Sequence, residues 1–271
     1  MKFRSYLAVG LFAAATLSQA DLVESYAIDG HVGSSLTGIA FSGAGGFTAT
    51  MSVSTVPAGA TIEKVFLYSN NWFNDSAVSI VFNGTPMLGT TAHFGPDNGA
   101  YGFKWDVTSL VTGNGDYSVN GGGFNGSYGL ALAIVYSDPS LALGRVSIAD
   151  GVVGIDENHD GAAHFSGFGA GPGKLSIYTE ADNNGETGEV VSFNGTAVGG
   201  PIDANLGDNA SILSFDVLTV AGANTAGITS PGGDYFGWHV AILETNPVPE
   251  PATLLALGLG AAALLRRRKS A

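Results

Sequence analysis

Five blocks of this chain occur twice, in the same order, and that duplication limits the fold more than any other feature. Ala27-Ile28-Asp29-Gly30-His31-Val32-Gly33 returns 121 positions later, at the shared Asp-Gly, as Ile148-Ala149-Asp150-Gly151-Val152-Val153-Gly154. Lys64-Val65-Phe66-Leu67-Tyr68 returns as Lys174-Leu175-Ser176-Ile177-Tyr178, and Trp105-Asp106-Val107 as Phe215-Asp216-Val217, both at an offset of 110. Phe82-Asn83-Gly84-Thr85 returns as Phe193-Asn194-Gly195-Thr196 at 111, and Gly129-Leu130-Ala131-Leu132-Ala133-Ile134-Val135 as Gly237-Trp238-His239-Val240-Ala241-Ile242-Leu243 at 108. A slowly drifting offset with unchanged order places the length differences in loops. Two similar units are expected, 21–142 and 143–247, with one fused sandwich as the competing arrangement because the linker at 140–144 is short.

Each block reads as strand and turn. The segments 63–68, 78–82, 103–107, 117–119 and 130–136 are short, rich in Val, Ile, Phe and Tyr, and separated by Gly/Asn/Asp clusters, the pattern of antiparallel strands. Asn-Gly within Phe-Asn-Gly-Thr is a strong hairpin signal. Between the two ends no window sustains helical periodicity beyond a single turn at 108–111. The predicted fold is therefore all-β: two tandem antiparallel β-sandwich units of jelly-roll or Greek-key type. An N-terminal signal helix and a C-terminal apolar helix flank them.

Both ends read as addresses. Residues 1–20 carry Lys2 and Arg4, an apolar run from Tyr6 to Leu17 and then Ser18-Gln19-Ala20, the three parts of a secretory signal that a signal peptidase removes before Asp21. The last 24 residues run Val248-Pro249-Glu250-Pro251, then an apolar stretch 252–265, then Arg266-Arg267-Arg268-Lys269. Fourteen apolar residues at ~1.5 Å each reach only ~21 Å against a bilayer core of ~30 Å, so membrane anchoring through 252–265 is marginal or transient. The cationic cluster would stop transfer on the cytoplasmic side. Triplet, apolar run and arginine cluster in this order resemble the PEP-CTERM sorting signal of Gram-negative bacteria. The resemblance implies that an exosortase recognises Pro249, Glu250 and Pro251 and removes the tail. Such proteins are released or attached outside the cell, commonly in bacteria that make exopolysaccharide. The paired Phe-Asn-Gly-Thr, Asp-Val-Thr-Ser-Leu-Val and Ile-Val-Tyr-Ser-Asp-Pro elements are also similar to an uncharacterised family of secreted surface β-proteins, to which no activity is attached.

Without the two addresses only Lys64, Lys104, Arg145 and Lys174 remain basic, against 22 acidic residues in 21–249, a net charge of −18. That excludes a basic nucleic-acid surface and favours divalent cations. The absence of cysteine excludes disulfides and thiolate-metal sites. Asp156-Glu157-Asn158-His159-Asp160-Gly161 matches the first half of a calcium loop, which makes Asp156, Asn158 and Asp160 candidate calcium ligands. Position 12 is Gly167 and not Glu, so the competing reading is an exposed Asx-rich turn. His159 and His164 stand five apart, on opposite faces of a strand and unlike a helical zinc pair. Asp182-Asn183-Asn184-Gly185-Glu186 reads as a solvated hairpin. Asp106 and Asp216 read as turn caps. Trp72, among Asn70, Asn71, Asn74 and Asp75, is a candidate platform for a sugar ring, with closure of one end of the sandwich as its structural alternative.

No nucleophile elbow, phosphate loop or dinucleotide fingerprint occurs, and no pair of carboxylates is marked as acid and nucleophile. The expected function is a secreted, non-enzymatic cell-surface or extracellular-matrix protein, membrane-tethered until its tail is processed. Its expected partners are exosortase, signal peptidase and exopolysaccharide or other matrix proteins. The alternatives are a polysaccharide-active hydrolase and a calcium-stabilised carbohydrate-binding or adhesive module.

Overall fold

The computed structural model describes residues 21–41, 45–72, 78–87, 93–124, 127–180, 188–203, 205–206, 210–232 and 235–245. The expected signal helix, the Pro-Glu-Pro element, the apolar stretch 252–265 and the cationic cluster lie outside them, as does the hairpin at 182–186. Among the described residues no helix is long and apolar enough to cross a membrane. Apart from one 3-10 turn at Thr108–Leu110, where a single turn was expected, every regular element is a strand.

The strands are β1 (Val23–Gly30), β2 (Val32–Ala40), β3 (Gly45–Val53), β4 (Thr61–Trp72), β5 (Ser79–Phe82), β6 (Thr85–Met87), β7 (His93–Asp97), β8 (Ala100–Asp106), β9 (Gly115–Phe124) and β10 (Gly129–Ser137). They continue with β11 (Gly144–Ile155), β12 (Gly161–Phe168), β13 (Gly171–Glu180), β14 (Val190–Phe193), β15 (Thr196–Gly199), β16 (Ala210–Thr219), β17 (Gly222–Thr229) and β18 (Phe236–Thr245). They form four antiparallel sheets, in the orders β3-β9-β5-β6, β2-β10-β4-β8-β7, β1-β11-β18-β13-β16 and β12-β17-β14-β15. Counted from β2 and from β11, the two halves share one strand order, first-eighth-third-sixth in the larger sheet and second-seventh-fourth-fifth in the smaller, apart from the extra edge strands β7 and β1.

The sheets stack as four layers. Met51, Ile80, Phe82 and Val119 of the first sheet meet Leu67, Trp105, Leu130 and Ile134 of the second. Phe165, Val191, Phe193 and Ile228 of the outer sheet of the second half meet Ile155, Ile177, Trp238 and Leu243. A third core joins the two five-stranded sheets face to face, with Phe66, Tyr68, Ala133 and Val135 against Ile148, Tyr178, Val240 and Ile242. The two inner sheets are thus covered on both faces, which is why β10 and β18 are buried almost throughout and read as continuous apolar runs rather than alternating ones.

Two differences from the sequence reading concern the boundary. The first repeated block does not play one role in both halves. In the second, β11 runs on through Gly151 (φ 157°); in the first, the chain leaves one sheet at Gly30 (φ 144°) and enters the other as β2. Val23–Gly30, placed by sequence order in the first unit, therefore pairs with β11 of the second, Ala27 opposite Ser147 and Asp29 opposite Arg145. Tyr26 and Ile28 pack into the core between the halves. Neither half is closed off from the other by the short linker.

Candidate functional site

The loop that matched half a calcium site closes on itself. Asp156 and His159 exchange main-chain hydrogen bonds of 3.1 and 3.3 Å around a two-residue turn. The Asp156 carboxylate accepts from the Asn158 N–H at 2.7 Å and the Asn98 amide at 2.8 Å, and its Oδ1 lies 2.9 Å from His159 Nδ1. Partial burial pushes this carboxyl up, but those hydrogen bonds together hold it below its ordinary value. Gly161 also has a packing role: a Cβ there would stand 3.0 Å from Val153 and 3.1 Å from the Trp238 ring. Asp156 and Asn158 therefore form an Asx turn, and Asp160 follows directly after it. Among the described residues no three His, Asp or Glu side chains converge as a metal site. His164 reaches Asp21 at 3.0 Å and stands apart from His159.

Trp72, the candidate sugar platform, stands where its structural alternative of end closure would put it. It is buried against Ala100 and Val152, and its ring lies 4.7 Å from that of Tyr235. With the Asn70 amide oriented to satisfy both its ends, the indole N–H donates to the Asn70 oxygen at 2.9 Å. Its polar edge is thereby used inside the protein. Asp106 is the cap expected of it, accepting from Thr108 N–H at 3.0 Å and Thr108 Oγ1 at 2.5 Å.

Sequence reasoning passed over a polar cluster between the inner sheets. Tyr68 and Tyr178, equivalent in the repeat, are both fully buried at that interface. Tyr68 donates to Asp150 at 2.6 Å, where Lys104 also donates at 2.5 Å and Ser25 at 2.6 Å. Tyr178 donates to Glu180 at 2.6 Å, and Glu180 also takes the Asn70 amide and the Tyr128 N–H. Burial pushes Glu180 up to about 8 despite these donors. His239, the extra residue where β18 slips register against β13, is pushed down to about 3 by burial alone. Both its ring nitrogens lack a hydrogen-bond partner. The signal available in the sequence was the swap of Asn70 for Glu180 at the repeat offset of 110.

The accessible concave surface lies elsewhere. A groove of about 590 Å³ runs between β16 and the β14–β15 hairpin, lined by Pro172, Phe193, Val198, Asp216, Leu218 and Val220 among others. A smaller one of about 210 Å³ adjoins it through Pro172, Gly173 and Asp216 and adds Lys174 and Glu244. The volume is in the range of ligand sites, ~300–1,000 Å³. Leu218 and Val220 are 76% and 50% exposed. At the repeat offset they replace Thr108 and Leu110 of the first half, so one polar position there has become apolar here. The turns that shape the groove recur in both halves: Asn83 and Gly84, like Asn194 and Gly195, all have positive φ, the type I′ geometry that the Asn-Gly pairs predicted.

The four cations of 21–249 are all paired: Lys64 with Asp106 at 3.0 Å, Lys104 with Asp150 at 2.5 Å, Arg145 with Asp29 at 2.9 Å and Lys174 with Glu244 at 3.8 Å. The 22 acidic residues of 21–249 outnumber these four cations, so the body carries a net negative charge.

The model of one protein family, described as "Protein of unknown function (DUF3344)", matches residues 19–246, the whole of this β-stack. The chain belongs to the DUF3344 family. Directly after the DUF3344 body, residues 247–269 match the PEP-CTERM protein-sorting motif, which marks an exported protein carrying the signal that an exosortase processes. No curated protein matches the sequence. Among solved structures, a conserved protein of unknown function from Pseudomonas aeruginosa PAO1 is similar over 80% of this chain and 84% of its own, at 13% identity and a TM-score of 0.32. The cycloalternan-forming enzyme of Listeria monocytogenes is similar over 74% of this chain and 19% of its own, at 13% identity and a TM-score of 0.28. The major capsid protein P2 of bacteriophage PM2 is similar over 81% and 99%, at 10% identity and a TM-score of 0.24.

Proposed function

We propose that the protein is a non-catalytic component of the cell surface or extracellular matrix, delivered by its C-terminal signal and held outside the cell among exopolysaccharide or other matrix proteins. The observation that carries the reading is the sorting motif at 247–269 following directly on an all-β body. Support for a structural role comes from where the polar groups are spent. Glu180, the carboxyl pushed furthest up, is buried and lines neither groove. In the groove, Glu244 is committed to Ser34, whose N–H and Oγ donate to it at 2.9 and 2.7 Å. On this reading the two halves are tandem jelly-roll units that arose by duplication, and the shared strand order is the support. The negative body would meet acidic polysaccharide through bridging divalent cations or neutral sugar contacts.

The test is made in the producing cells. Replacing Pro249, Glu250 and Pro251 together by alanine should move the protein from matrix or medium into the membrane fraction. Unchanged delivery to the matrix would overturn the reading.

A further inference from the structure

The two halves treat one equivalent edge differently. In the first, β8 is flanked by β7, and Asp106 at its end is spent on Lys64 and Thr108. In the second, β16 is the last strand of its sheet among the described residues. The chain itself closes the start of this strand: Leu206 N–H donates to Ala210 C=O at 3.0 Å, and the Asn205 side chain accepts from Ile212 N–H at 2.9 Å and donates to Ile212 C=O at 2.6 Å. Just past its end, the Asn224 side chain accepts from Val220 N–H and donates to Val220 C=O, both at 2.9 Å. Between these caps, the alternation of an antiparallel ladder turns the main-chain groups of Ser214, Asp216 and Leu218 away from β13. Pro172, opposite Leu218 and without an N–H to give, agrees with that phase. All three residues are exposed. Asp216 also departs from the turn cap expected of it. It has Leu218 where Asp106 has Thr108, Lys174 turns to Glu244 instead, and among the described residues its carboxylate takes no hydrogen bond or ion pair.

We propose that this edge is a docking site for an extended segment of another protein, added antiparallel as a further strand with a lysine or arginine opposite Asp216. The charge pattern selects the occupant. Lys174 pairs in register with both Glu244 and Asp216, so the three form one row across the sheet. That row alternates in sign and ends on the free carboxylate at the open edge. The favoured next member is a cation, because opposite charges across a strand pair are stabilising. A second copy meets the reverse. The two-fold pairing of β16 with itself that uses all three free residues centres on Asp216 and would set two carboxylates directly opposite each other. The charge that guards the edge against self-pairing is thus the one that admits a cationic strand. The space beside the edge suits the rest of such a segment. Its residues opposite Phe215 and Val217 would share the face of those two and enter the groove beside Phe193 and Val198. On the other face, its residue opposite Leu218 would cover a side chain that is 76% exposed. Main-chain bonds then supply affinity, and the alternating apolar and cationic positions supply specificity. The contact rests on the geometry of the edge and not on the sorting reading.

The probe is the acetylated and amidated peptide Ser-Thr-Val-Lys-Val-Thr-Ser, in which valines flank a central lysine. Its Kd for the full chain should lie about five- to tenfold below that of the same peptide with a central glutamate, the difference between an opposite and a like charge across a strand pair. Asp216→Lys should invert that order. N-methylation of the central main-chain nitrogen, which removes the donor facing Asp216 C=O, should abolish binding, and amide exchange at Ser214, Asp216 and Leu218 should slow when the unmethylated peptide binds. Equal affinity for the two peptides, no binding up to ~1 mM, or binding that survives N-methylation would each overturn the proposal. So would a dimer of the free protein that Leu218→Asp dissolves, because a second copy would then hold the edge.

Discussion

Glu180 and His239 lie in one buried cluster with protonation equilibria displaced in opposite directions. Folded Glu180 keeps its proton up to about pH 8, while an unfolded glutamate releases it near 4.5. Unfolding therefore releases a proton between those values, and this residue's contribution to stability declines as pH rises from 4.5 to 8. Folded His239 stays neutral down to about pH 3, while an unfolded histidine protonates near 6.5; its contribution declines as pH falls from 6.5 toward 3. Glu180→Gln, which keeps an acceptor for Tyr178, is predicted to narrow the fall in Tm between pH 5 and pH 9. His239→Leu, which also removes two unpartnered buried nitrogens, is predicted to narrow the fall between pH 7 and pH 4. Melting curves across pH check both; unchanged slopes would count against the assignment. Neither residue was legible in sequence as unusual, because a strand register slip and a face-to-face sheet contact bring them together. Trp72 and Asp156 show the converse. Their residue types suggest ligands, and in the folded chain their polar atoms also meet partners of the protein's own, Asn70 and Asn158.

The strands and hairpins were the most readable level. Asn-Gly within Phe-Asn-Gly-Thr specifies its own turn chemistry, so the two hairpins follow from local sequence alone. Gly84 and Gly195 have φ of 78° and 77°, and a Cβ at either would meet nothing within 4 Å. Gly84→Ala and Gly195→Ala should each cost about 1–2 kcal/mol from backbone strain alone, and their effects should add because the hairpins are separate. Denaturant midpoints at constant m-value test this. The edge strands were less readable. The repeated block that opens at Ala27 reads as strand and turn, but the pairing of Val23–Gly30 with β11 in the other half depends on which edge of the stack is open.

At the scale of the whole molecule, the repeat predicted two like halves, and what it could not express is that they share a buried face. That face contains Asp150, whose side chain is 2% exposed, paired with Lys104 at 11%, and Lys104 also stands 3.8 Å over the Phe66 ring. Removing one partner of a buried pair strands the other, so Lys104→Ala should cost ~3–5 kcal/mol. Lys64→Ala, at the exposed pair with Asp106, should cost under ~1 kcal/mol. Urea unfolding of the two variants separates a fused stack from two loosely tethered sandwiches. Loosely tethered halves would unfold in two steps, and Lys104→Ala would then leave both midpoints unchanged.

Export of this acidic β-stack and its release at the C-terminal signal are tested by the intact mass of the protein recovered from its own producing cells. Export and processing predict a chain that begins at Asp21 and ends near Pro249–Pro251, found in matrix or medium. A mass that still includes residues 252–271, found in the membrane fraction, would contradict them.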